Sequence, residues 1–223
     1  MPSTHVRHAC VDKPVKIALP GVDLGGILSV PESPLGMILF AHGTGNRQFR
    51  EGDQMVASIL YQARLGSLVM DPVAEPDRAD GKDVLDVEML ADRLEQAADW
   101  LAGRPEAAHR ALGLFGAGDG AAGALIACAR KPDAFGAVVC WSGETDLADP
   151  WLPLVEVPAL LLVGGQDRAV LQANRNALGR LGREASLMEI PGTTHPMAEP
   201  GVLEQVAALA RNWFLRHLAG KEV

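Results

Sequence analysis

The chain of 223 residues is poor in cysteine, with Cys10, Cys128 and Cys140 alone. An odd, unpatterned set of this kind suits a reducing cytoplasm rather than a disulfide framework. Long hydrophobic runs are also missing: a stretch such as 159–163 is far too short to span a bilayer. The opening residues, MPSTHVRHACVDK, contain no apolar core, so no secretory leader is expected. Positive charge is scarce, with 20 Lys and Arg against 28 Asp and Glu and a formal net charge of −8. No basic stripe is available to neutralise phosphates, which argues against a nucleic-acid partner. His5, His8 and Cys10 have no fourth ligand nearby, and neither a metal nor a cofactor is expected. No repeat, low-complexity tract or linker divides the chain, so one domain over residues 1–223 is expected.

What is present is ordinary for a soluble globular chain: 48% apolar and 22% charged residues. Residues 15–19 and 24–30 read as two strands joined by the turn Pro20-Gly21-Val22-Asp23. A third apolar run, 37–41, leads into His42-Gly-Thr44-Gly. Met55, Ile59 and Leu60 mark one face of a helix, and a strand at 67–71 follows. The proline- and charge-rich stretch 72–83 reads as a surface loop. Val87, Leu90, Leu94, Ala97 and Leu101 then recur at helical spacing. Strands are expected at 112–115, 137–141, 159–163 and 186–190, separated by an alanine-rich helix to 131 and a helix over 170–181. A last helix buries Leu203, Val206, Ala210, Trp213 and Phe214. Paired strands followed by strict strand–helix alternation imply an α/β protein with a mostly parallel sheet covered on both faces.

Ligands of open parallel sheets sit outside the carboxyl ends of the strands. Four suggestive segments follow strands directly: His42-Gly-Thr-Gly, Gly116-Ala-Gly118-Asp119-Gly120, Gly164-Gly-Gln-Asp167 and Thr193-Thr-His195. The second has the small-x-nucleophile-x-small spacing of a strand-to-helix turn that presents a nucleophile, yet its tip is Gly118. The order turn, acid, histidine is that of α/β-hydrolases. Nearly the whole chain, from Val15 to the last helix, resembles the compact, lid-poor dienelactone-hydrolase-like group of that superfamily.

That resemblance carries an α/β-hydrolase fold with a minimal lid and the following roles. His195 falls on the catalytic histidine and Asp167 on its acid. The backbone N–H groups of Thr44 and Asp119 fall on the oxyanion hole, and His42 on a histidine that shapes the loop. A small ester or lactone is the implied ligand. Gly118 departs from the pattern: it has no side chain to attack with, which closes the two-step acyl-enzyme route there. A carboxylate at Asp119 would also oppose a developing oxyanion.

Three readings of Asp119 stay open. It caps the alanine-rich helix, it is a nucleophile shifted by one position as in dehalogenase-like hydrolases, or either it or His195 positions a water for direct attack. The whole chain also admits a non-catalytic reading, a hydrolase-fold binder, as in cholinesterase-like adhesion proteins with glycine at the nucleophile position. A further class comes from Gly118-Asp-Gly120-Ala-Ala-Gly123, a literal G-x-G-x-x-G that would bind a dinucleotide, with Glu144 after the next strand. That reading leaves Asp167 and His195 unexplained. Trp141, Trp151 and Met197 are expected near the strand ends, where they would line an apolar pocket.

Overall fold

The computed structural model describes residues 12–42, 47–79, 86–182, 184–193 and 201–220. Strands β1 (Asp12–Leu19) and β2 (Val22–Ser29) form an antiparallel hairpin closed by Pro20 and Gly21, with Leu19 opposite Val22. Strands β3 (Gly36–His42), β4 (Leu65–Met70), β5 (Leu112–Ala117), β6 (Phe135–Trp141), β7 (Ala159–Gly164) and β8 (Ala185–Ile190) then pair in parallel. All eight lie in one sheet of order β1-β2-β4-β3-β5-β6-β7-β8. Every residue of β4, β5 and β7 is buried, as a sheet covered on both faces requires.

Alternation along the strands sends neighbouring residues to opposite layers. Leu39, Leu114, Val138 and Leu161 pack with Leu90, Leu94 and Leu101 of α3 (Val87–Ala102) and Leu125 of α4 (Asp119–Arg130). Their neighbours Ile38, Phe40, Phe115, Val139 and Leu160 pack with α1 (Arg47–Gln62) and α6 (Val202–Leu218). Helix α5 (Arg168–Leu178) follows β7. No described helix is long and apolar enough to cross a membrane.

The α/β alternation expected from the sequence is present, with local differences. The inner face of α1 is Val56, Ala57 and Leu60, whereas Met55 is exposed. Within the expected loop after β4, residues Glu75–Ala79 form the short helix α2, whose Pro76 sits in the first turn where no amide partner is lost. Trp151 is not near the strand carboxyl ends. Its ring lies 4.7 Å from the guanidinium of Arg130, the last residue of α4, at the helix end remote from Gly118. Met197, His5, His8 and Cys10 lie outside the described residues.

Candidate active site

Strand β5 runs into α4 through a single residue, Gly118, at φ +59° and ψ −128°. L side chains rarely adopt this backbone. Neighbouring backbone fixes it: the Gly118 N–H donates to the Trp141 carbonyl at 3.2 Å. The Gly118 carbonyl accepts from Ala121 N–H at 3.2 Å and from Glu144 N–H at 3.0 Å. A Cβ built on Gly118 would meet nothing within 4 Å among the described residues. Two residues earlier the demand is opposite, because a Cβ on Gly116 would stand 2.6 Å from the Cα of Ala121. Helix α4 therefore crosses directly behind Gly116, while no described residue stands against position 118.

Asp119 is not the N-cap of α4, as one reading of the sequence had it. Gly118 holds that position, without a side-chain cap, because its positive φ makes the break between strand and helix. Asp119 is the first helical residue, and its Oδ1 accepts from the N–H of Gly120 at 2.9 Å. A carboxylate in the first helical turn is favourable against the helix dipole.

Asp167, at the end of β7, is the residue that caps a helix: its Oδ1 accepts from Val170 N–H at 3.2 Å at the start of α5. The turn before it is locked to the end of β8. Gly165 N–H donates to the Ile190 carbonyl at 2.9 Å, and Gln166 N–H to the Thr193 carbonyl at 3.0 Å. Thr193 is fully buried, and its Oγ1 donates to the Ile190 carbonyl at 3.0 Å. The segment entering Thr194-His195 is thus held against the segment entering Asp167. His195 and Thr44 lie outside the described residues.

Trp141 is buried, 2% exposed, behind Ala117. With Asp53, Val56, Phe115 and Leu203 it encloses a cavity of about 10 Å³, room for one water at most. Asp53, 4% exposed, is a buried carboxylate that no sequence pattern flagged. A larger concavity of about 330 Å³ lies over the ends of β2 and β4, with Asp23, Gly25, Met70, Asp71 and Glu75 in its wall. The loop on that wall is fixed by a largely buried ion pair, Arg93 Nη2 to Asp77 Oδ2 at 2.7 Å. Arg93 also donates to the Pro72 carbonyl. Two of the cysteines are described, and neither is an exposed thiol. Cys128 and Cys140 are buried, and burial pushes the Cys128 thiol well above its ordinary range and the Cys140 thiol up to about 12. Neither supplies a thiolate near neutral pH.

A parallel sheet with a tight strand-to-helix turn after β5 and an acid turn after β7 defines an α/β-hydrolase fold. The dienelactone hydrolase of Anabaena variabilis ATCC 29413 shares it at 38% sequence identity and TM-score 0.89, covering 95% of this chain and 100% of that one. The chain belongs to the dienelactone hydrolase family. The esterase Est1E of Butyrivibrio proteoclasticus superposes with TM-score 0.76 over 91% of this chain and 98% of its own, at 15% identity, which shows the fold alone. Two Mycobacterium tuberculosis proteins, of strains CDC 1551 / Oshkosh and ATCC 25618 / H37Rv, are 40% identical over 94% of this chain and carry the provisional name phosphoribosyl transferase. The chain spans 47% of their length, about half of those relatives. No protein-family model matches the chain.

Proposed function

We propose that this chain is related to hydrolases of small esters and lactones, with a glycine at the nucleophile position and hydrolysis correspondingly weak or altered. The observation that carries the reading is Gly118: it holds a positive-φ strand-to-helix backbone, and no described residue stands where its side chain would be. Glycine takes this backbone without strain, whereas a residue with a side chain would be strained there, a feature that clusters at functional sites. In this reading His195 acts as base toward water, and Asp167 fixes its tautomer. The amides of Thr44 and Asp119 receive the oxyanion. His195 is two positions beyond Thr193, at most about 7 Å of chain, so the reading places base and acid within reach of one another. The ligand is a small ester or lactone, and the cysteine usage supports a cytoplasmic setting.

The test restores the missing group. Gly118→Ser, combined with Asp119→Thr to remove the opposing charge, is expected to raise hydrolysis of 4-nitrophenyl acetate by on the order of 10²-fold or more. No gain in a folded double variant would contradict the assignment of position 118.

The name carried by the mycobacterial relatives supports a second statement about architecture. This chain matches under half of those proteins, and the matched part is a hydrolase-type sheet. In this reading the transferase chemistry belongs to the part of the relatives that this chain does not span. The matched part is then a hydrolase or a hydrolase-derived binding unit working beside it.

A further inference from the structure

Four residues other than glycine take a positive φ among the described residues: Ser33 at +51°, Arg64 at +61°, His109 at +60° and Ser142 at +44°. Ser33, Arg64 and His109 precede β3, β4 and β5, at the amino ends of the parallel strands. Ser142 follows β6, at the carboxyl ends where Gly118 lies. A left-handed backbone is unfavourable for serine because its Cβ crowds the following carbonyl, and it persists only where the surroundings impose it.

The surroundings here are identifiable. Ser142 N–H donates to the Leu162 carbonyl at 2.8 Å. The next carbonyl, of Gly143, accepts at 2.8 Å from Nδ2 of Asn174, a fully buried side chain on α5. The same Nδ2 donates to the Val170 carbonyl at 2.8 Å, which fixes the orientation of the amide. A Cβ on Gly143 would stand 2.6 Å from the Cβ of Ala121, so the loop also presses on α4. This turn has no slack in which Ser142 could relax.

Its location is equally specific. Trp141 and Glu144 hold the two sides of Gly118, one by a carbonyl and one by an N–H, and Ser142 lies between them in the chain. The residue is partly exposed, and its hydroxyl has no hydrogen-bond partner among the described residues. Among the described residues no atom stands within 4 Å of a Cβ at Gly118, so none of them blocks a ligand group there. We infer that Ser142 is a ligand-binding residue of this site, its hydroxyl donating a hydrogen bond to an oxygen of the bound ester or lactone. The inference rests on the reading of the site as one for small esters and lactones. A hydroxyl that rotates freely and both donates and accepts suits an ester group and gives nothing to a purely apolar ligand.

The experiment titrates dihydrocoumarin, an aromatic lactone, and phenyl acetate into the wild-type chain, Ser142→Ala and Ser142→Gly. Binding is read from backbone amide resonances and stability from thermal melts. Losing one neutral hydrogen bond is expected to weaken probe binding about tenfold in both variants. Ser142→Gly should nevertheless melt above the wild type, because glycine accepts the left-handed backbone without strain. That pairing of higher Tm with weaker binding is not produced by a serine whose role is structural. Equal affinity in all three proteins would overturn the inference and leave the ester-and-lactone reading standing. A folded wild type that takes neither probe would overturn both. A fluorophosphonate adduct on Ser142 would make it the nucleophile and overturn its role as a binding group.

Discussion

The turn after β5 and the turn after β7 occupy equivalent places, each passing from a buried parallel strand into a helix at the carboxyl edge of the sheet. They present different things. The first keeps an unusual backbone, with Gly118 at φ +59° and gripped from both sides, but carries no reactive side chain. The second keeps its side chain, with Asp167 capping α5, on backbone of ordinary sign at φ −84°. Backbone geometry and side-chain chemistry are therefore separable. The first is held by hydrogen bonds and packing throughout the turn, whereas the second rests on one residue.

The strongest way to break this comparison is at the packing behind the first turn. Gly116→Ala puts a methyl against helix backbone that cannot yield, and it is expected to cost about 3 kcal/mol in chemical denaturation. Gly118→Ala meets no neighbour among the described residues and is strained by its dihedrals, about 1–2 kcal/mol. Equal costs at the two positions would show that the turn is not built as described. The second turn is probed at Asp167, whose cap and catalytic roles separate by substitution. In the Gly118→Ser background, Asp167→Asn should lower ester hydrolysis by on the order of 10²-fold while stability stays within a few tenths of a kcal/mol. Asp167→Ala should add a stability loss of about 1 kcal/mol, read in the same melts. Unchanged hydrolysis in the Asn variant would leave Asp167 as a helix cap and nothing more.

Much of the fold was legible because its periodicities are local. Leu90, Leu94 and Leu101 announce α3, and the β4, β5 and β7 runs announce buried parallel strands. The glycine-rich turn was legible because Gly116 and Gly118 each answer a backbone need that no other residue meets as well. Finer features depended on tertiary context. On α1, the pairs Met55–Ile59 and Val56–Leu60 have the same spacing, and docking against the sheet and α6 selects the second. Asp119 reads as a cap by residue type, but the positive φ of Gly118 moves the cap one residue earlier. Ser142 gives no local signal at all. Its backbone is set by Leu162 and, through Gly143, by Asn174, which is 32 positions away in the chain.

The central claim is that position 118 is a nucleophile seat with its occupant removed. Labelling with a fluorophosphonate probe, mapped by peptide mass spectrometry, tests it most directly. The wild-type chain is expected to stay unlabelled, since the turn offers no hydroxyl at its tip and burial holds the Cys128 and Cys140 thiols protonated. The Gly118→Ser variant is expected to take one probe per chain at position 118. Stoichiometric labelling of the wild type, or a folded variant that remains unlabelled, would contradict the account.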